Sequence, residues 1–180
     1  MHLGSRIMVM GSSGSGKSTM ATRLGEITGL PVVHLDRLSW NPGWVATPDD
    51  IMKQKVEEAA DQPAWIIDGN YSASRGYRLE RADAVIFLDF SRYTCLFRAL
   101  KRWLRNIGKT RYDLGEGCPE KIDMWLVKWI WGYPKRSRGR TLTWLATVQQ
   151  PKRVYHLKGK RAVKRFLLEA GGTYAKGAFQ

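Results

Sequence analysis

The chain has 180 residues, 30 of them basic and 16 acidic, and a formal net charge of +14. That length holds one domain around one core. No apolar run approaches the ~20 residues of a membrane helix, and Cys95 and Cys118 form no C-x-x-C pair, so neither a zinc site nor a disulfide scaffold is expected.

In chain order, Arg6-Ile7-Met8-Val9-Met10 is an apolar run suited to a buried parallel strand. It starts almost at once, with no signal-peptide h-region before it, and a soluble, cytoplasmic protein is the expectation. Next comes Gly11–Thr19, GSSGSGKST, which fits G-x-x-x-x-G-K-[ST] with Gly11, Gly16, Lys17 and Ser18 in the fixed positions. A phosphate chain needs many donors at close range. Glycines let the backbone N–H groups converge, and the helix that follows adds its positive end. Gly11, Ser12, Gly14, Ser15, Gly16, Lys17, Ser18 and Thr19 are therefore the expected nucleotide cradle. Lys17 reaches the β- and γ-phosphates, and Ser18 ligates Mg²⁺. Met20, Leu24 and Ile27 recur at helical spacing, so strand, glycine loop and helix stand in the required order.

Gly29 ends that helix, and Pro31–Leu35 is expected as a second strand. It delivers Asp36 to the edge where open α/β sheets bind ligands. A carboxylate there repels a phosphorylated acceptor but hydrogen-bonds a hydroxyl, so Asp36 is a candidate to bind and deprotonate an acceptor. The bland alternative is an ion pair with Arg37 or Arg75, or the capping of a turn. Trp40 and Trp44 are either a hydrophobic plug or the wall of an acceptor pocket, and Asn70 could bind a second polar group of the substrate. Thr47 suits an N-cap, followed by a helix with Met52, Val56 and Ala60 inward.

Ala64–Ile67 is the third strand and runs into Asp68-Gly69-Asn70-Tyr71; Ala84–Leu88 is the fourth and ends at Asp89. Either aspartate could hold an Mg²⁺-bound water. The helix predicted over 92–107 places Arg98, Arg102 and Arg105 on one face, while Leu96, Leu100, Trp103 and Leu104 can be buried. A polar break over 108–117 precedes a helix over 119–131 and a dense basic turn, Pro134–Arg140. The insertion at about 108–140 has the composition of a cover over phosphates, with Arg102 and one of Arg136, Arg138 and Arg140 closing on the transferred group. The competing reading is a nucleic-acid patch. Residues 92–140 carry 13 basic and 4 acidic residues, and 141–180 carry 8 and 1. Such stretches attract nucleic acid or nucleotide phosphates alike. Arg153–Leu157 is a fifth strand. The last helix, over 160–170, is expected to stop at Gly171 and Gly172 before a frayed tail. Strands alternating with helices predict a single α/β domain, a five-stranded parallel sheet with helices on both faces.

Several of these stretches resemble adenylate-kinase-like P-loop kinases: Asp68-Gly69, the interval from Asp89 to Arg98 and Arg102, and Lys158-Gly159-Lys160. That resemblance implies that Arg98 stacks on adenine, that Arg102 contacts phosphates and that Gly159 lies in a loop touching adenine. More closely, His34-Leu35-Asp36, Pro42-Gly43-Trp44, Trp65–Tyr71, Gly117–Asp123 and Trp129-Ile130-Trp131 resemble bacterial DNA topology modulation proteins of the FlaR type. It implies a three-layer P-loop NTPase fold with sheet order 2-3-1-4-5. In that order strand three lies beside strand one, which favours Asp68 over Asp89 for the metal. The Asn70-Tyr71 step departs from nucleoside monophosphate kinases, which carry an acceptor-binding arginine after Asp-Gly-Phe-Pro. The expected activity is transfer of the γ-phosphoryl of ATP, with Mg²⁺, to a small acceptor. The alternative is a DNA-associated NTP-binding protein.

Overall fold

A computed structural model describes residues 3–177. Its frame is a five-stranded parallel sheet of β1 (Arg6–Gly11), β2 (Val32–His34), β5 (Trp65–Asp68), β6 (Ala84–Asp89) and β7 (Arg153–Lys158), in the order β2-β5-β1-β6-β7. This is the 2-3-1-4-5 order expected from the sequence. Period-two alternation in β1 splits the core between two layers. Ile7 and Val9 pack with Met20 and Leu24 of α1 (Lys17–Thr28) and Phe166 of α8 (Gly159–Gly177). Met8 and Met10 pack on the other face with Met52 and Val56 of α3 (Asp49–Ala60) and Leu145 of α7 (Gly139–Ala146). A strand buried on both faces is a continuous apolar run for this reason.

β1 lies between β5 and β6 in parallel register, with Val9 opposite both Asp68 and Ile86. The C-terminal ends of β1, β2 and β5 therefore share one sheet edge, and the chemistry-bearing loops follow from them. Between β5 and β6 runs α4 (Arg75–Arg81), and α5 (Arg92–Arg105) follows β6. Ser91 caps α5, its hydroxyl accepting the Thr94 N–H at 3.2 Å.

Several local expectations change. After β2 the chain turns into a short helix, α2 (Leu35–Ser39), and the aromatic turn becomes a hairpin of β3 (Trp40–Asn41) and β4 (Val45–Ala46). Thr47 does not cap α3: its hydroxyl donates to the Leu38 carbonyl at 2.7 Å, tying the hairpin to α2. The helix expected from residue 119 starts later, as α6 (Met124–Tyr133), because the Asp123 carboxylate accepts the Leu126 N–H at 2.7 Å. α6 continues through a π-helical turn, Pro134–Arg138, into α7. Gly171 and Gly172 do not end α8, which runs on to Gly177. The buried Ala170 continues its packing on the sheet, and a helix so anchored tolerates glycine at about 1 kcal/mol per residue. Leu100 and Leu104 are exposed on α5 and not buried.

Candidate functional site

The glycine loop is held from three sides. Gly14 has φ 76°, and a Cβ there would lie 2.2 Å from the Cys95 carbonyl oxygen, so α5 closes directly on the loop. Only glycine meets both demands. From β5, Asn70 engages the other end. Its side-chain oxygen accepts the Gly11 N–H at 3.1 Å and its amide donates back to the Gly11 carbonyl. Both polar ends of Asn70 are thus spent on the loop, which removes it as a substrate contact. Arg78 holds Asn70 in place in turn. It is fully buried, donates to the Gly69 carbonyl at 3.1 Å and the Tyr71 carbonyl at 2.6 Å, and burial pulls its pKa down to about 10.

Above the loop opens a cavity of about 1140 Å³. Its wall includes residues 13–19, Asp36, Arg98, Arg102, residues 110–113, and Lys160 and Val163 of α8. Gly16 takes a left-handed conformation at the start of α1, so the helix opens at Lys17 and points its positive end at the cavity. Lys17 donates from Nζ to the Ser12 carbonyl at 3.2 Å, folded back along the loop. The buried Ser15 hydroxyl has no hydrogen-bond partner. Converging backbone donors, an orphan hydroxyl and a lysine engaged in no ion pair among the described residues fit a bound phosphate chain.

At one end of the cavity Arg98 donates to the Ser15 carbonyl at 2.9 Å, its guanidinium 4.2 Å from the Phe90 ring centre. Lys160 and Val163, in the first turns of the helix opened by Gly159, which has φ 78°, line the same cavity. This end has the planar and apolar surfaces that a base needs.

At the other end stands Asp36, in the first turn of α2. Solvent reaches it through the cavity while protein surrounds its flanks. Burial, with the charges of Asp68 and Asp113, raises its pKa against the opposing pull of Lys17 and Arg111. No ion pair engages Asp36 among the described residues, so the pairing with Arg37 or Arg75 is absent. Asp68 is almost fully buried and accepts from His34 Nδ1 at 2.7 Å. Burial lowers the His34 pKa, but the Asp68 hydrogen bond and neighbouring carboxylates outweigh it and the net shift is upward. His34 is therefore tied to the metal candidate.

The insertion divides in two. Its first half, residues 106–123, straps across α1 and β2. Tyr112 and Thr22 share a hydroxyl hydrogen bond of 3.2 Å, and the Tyr112 ring meets His34 edge-on at 5.5 Å. Arg111 makes two hydrogen bonds to Asp113, at 2.7 and 3.0 Å, and a third to Glu120, whose other oxygen accepts from Arg102 at 3.1 Å. Burial would raise the Asp113 pKa, but its bonds to Arg111 and Ser18 hold it below the usual range. So Asp113 lies close to the Ser18 hydroxyl, and the half-buried Arg102 pairs with the buried Glu120. The sequence signal for Asp113 was only an Arg-x-Asp triplet inside a polar break. Trp40 and Trp44 do not line the cavity. They meet edge-on at 5.4 Å, and Trp44 Nε1 donates to the Pro119 carbonyl at 3.1 Å, pinning the strap's far end.

The second half lies elsewhere. Arg138 binds Asp89 through two hydrogen bonds of 2.8 Å, and His156 Nε2 meets the same carboxylate at 2.8 Å. Arg138 is thereby removed from the set that closes on phosphate, and Asp89 anchors the π-helical turn.

No protein-family model matches the chain, and no curated protein does. Solved structures do. A gluconokinase from Sinorhizobium meliloti aligns over 98% of this chain and 94% of its own, at 19% identity and a TM-score of 0.53. A shikimate kinase from Acinetobacter baumannii, in complex with shikimate, aligns over 98% and 96%, at 12% identity and a TM-score of 0.55. The fold is that of the P-loop kinases. No helix among the described residues is long and apolar enough to cross a membrane.

Proposed function

We propose that this protein is a kinase that moves the γ-phosphoryl group of ATP to a hydroxyl of a small, unphosphorylated acceptor. The observation that carries the reading is the joining of Asp36 and Lys17 in one cavity, an aspartate of raised pKa facing a phosphate loop. The loop N–H groups, Lys17 and the start of α1 hold the triphosphate, with the base beside Arg98, Phe90 and Lys160. Asp36 binds the acceptor hydroxyl and takes its proton as the oxygen attacks. Its raised pKa makes it a stronger base than an ordinary aspartate. Arg102 and Arg111 lie one ion-pair exchange from the phosphates, since Glu120 and Asp113 occupy them here. Phosphoryl transfer asks mainly for such positioning and charge neutralisation.

Mg²⁺ fits the donor set. The Ser18 hydroxyl and Asp113 would hold it, with Asp68 behind a bridging water, and it would neutralise charge on the phosphates. Asp36 and Asp113 together disfavour an acceptor that already carries phosphate. The two structural neighbours named above are kinases of small hydroxylated acids by their names, in keeping with this substrate class.

The second reading, an NTP-binding protein associated with DNA, draws on the FlaR-type resemblance and the +14 charge. The salt dependence of binding to random duplex DNA, with and without ATP, separates the two. The direct test is a phosphate-transfer screen over nucleosides, polyols, hydroxy acids and monophosphates, with Lys17→Ala and Asp36→Ala as controls. Transfer to a hydroxylated acceptor, lost in both variants, is expected. Efficient phosphorylation of a monophosphate, untouched by Asp36→Ala, overturns the acceptor assignment.

A further inference from the structure

The inner side of α5 serves the nucleotide loop; its outer side is a separate surface. Tyr93, Phe97, Leu100, Leu104 and Ile107 recur at 4-3-4-3 spacing and so form one stripe along the helix and its end. All five are 44–64% exposed. α6 adds the exposed Met124 and Trp131, seven residues apart on one side of the helix, with Trp125 and Trp129 exposed a quarter turn or more away, and the Trp131 ring meets Tyr93 edge-on at 5.5 Å, making the two helices continuous there. The stripe is not a core face turned outward by error. The opposite side of α5 already buries Cys95 and Ala99 against Ile130, and Arg98 reaches Ser15. An apolar band of this length on one element marks an interaction surface.

Its charge setting is one-sided. Residues 91–112 hold seven basic residues and no acidic one. Arg98, Arg102 and Arg111 turn to the cavity. Lys101, Arg105 and Lys109 are exposed beside the stripe, and Arg92 lies 4.2 Å from the Trp131 ring centre.

We infer that this face docks the protein on an anionic lipid bilayer, lying in the interface without crossing it. Leu100, Leu104, Ile107 and Met124 enter the acyl boundary, the tryptophans sit at headgroup depth, and the flanking cations meet lipid phosphates. A second copy of this chain is disfavoured, because pairing the stripes sets Lys101 and Arg105 against like charges, and the one exposed acid at the edge, Asp123, is taken up in capping α6. Nucleic acid would use the cations and the indoles, yet the four aliphatic side chains have no ring on which a base can stack. An anionic surface with an apolar interior satisfies both halves of the pattern. The inference stands independently of the kinase reading.

The test is flotation of the full chain with vesicles of phosphatidylglycerol and phosphatidylcholine in equal parts, against phosphatidylcholine alone. Binding to the anionic vesicles is expected, with a blue shift of tryptophan emission, loss at high salt, and affinity for neutral vesicles at least about tenfold lower. Leu100→Glu with Leu104→Glu, and separately Lys101→Glu with Arg105→Glu, should each weaken binding about tenfold or more. Circular dichroism checks the fold, and Leu100→Ser with Leu104→Ser replaces the glutamates if they unfold the chain. Failure to bind anionic vesicles overturns the inference, as does binding that none of these substitutions alters. A dimer in sedimentation equilibrium, or tight DNA binding, that the stripe substitutions abolish while vesicles are ignored, overturns it in favour of that other occupant.

Discussion

Arg98, Arg102 and Arg111 border the cavity, whereas Arg136, Arg138 and Arg140, just as dense along the sequence, lie outside its wall. The first set is placed by partners at the loop: the Ser15 carbonyl and Phe90 ring hold Arg98, and Glu120 is shared by the other two. The second set is consumed elsewhere. Arg136 covers the Trp129 ring at 3.7 Å, Arg138 is clamped by Asp89, and Arg140 donates to the Arg136 carbonyl at 2.8 Å. Local charge density does not decide which cations serve a ligand. What decides it is where a carboxylate or a ring already claims them.

The largest test of this contrast removes the cation at the centre of the loop. Lys17→Ala should lower phosphate transfer by roughly 10³-fold with the fold intact, read by steady-state kinetics and circular dichroism. Next comes the base that those cations face. Asp36→Asn should lower kcat by about 10²-fold or more while ATP affinity changes little. Arg102→Ala and Arg111→Ala should each lower kcat/KM about tenfold to a hundredfold. Arg138→Ala should leave kcat/KM within about threefold. Arg138 is partly open to water, but the Asp89 carboxylate is nearly buried and would keep only His156, so losing the pair should reduce stability by about 1–3 kcal/mol, measured by urea denaturation. A hundredfold loss of activity at Arg138, or none at Arg102, would reverse the comparison.

The smallest expected effect is a shift in pH dependence. Asp36 must be ionised to act as a base, so its raised pKa places the acid limb of kcat/KM above the ordinary aspartate value of 3.8. The stability sign is opposite to that of a paired carboxylate. A raised folded pKa stabilises only below the unfolded value, and that contribution is lost as pH rises through the folded one. Asp36→Asn should therefore gain stability over wild type near neutral pH, with the gain vanishing in acid.

Much of the frame was legible because the physics is local. Buried parallel strands need apolar runs, and Gly11–Ser18 carries its own chemistry in its spacing. The parts that were not legible depend on distant chain. Asp113 reads as loop because nothing local records that Ser18 lies beneath it. Asn70 reads as a substrate contact until Gly11 is seen to take both its polar ends. Leu100 and Leu104 repeat with the period of a buried face, yet periodicity names a face without saying what covers it. Gly171 and Gly172 carry the composition of a stop, but packing of α8 on the sheet overrides it.

The close approach of α5 to Gly14 also turns Cys95 into a clock. Its thiol is fully buried, 3.9 Å from the Phe90 carbonyl, and burial pushes its pKa up, so a thiol reagent reaches it only when the helix lifts off the loop. Cys118 is buried too, 3.2 Å from the Asn41 carbonyl at the far end of the strap. Two cysteines thus time two separate openings, one of α5 from the loop and one of the strap from the hairpin. A nucleotide that seats the loop should slow the first rate, and a second ligand that seals the strap should slow the other, so that alkylation timed at each sulfur reads the order in which the two ligands arrive.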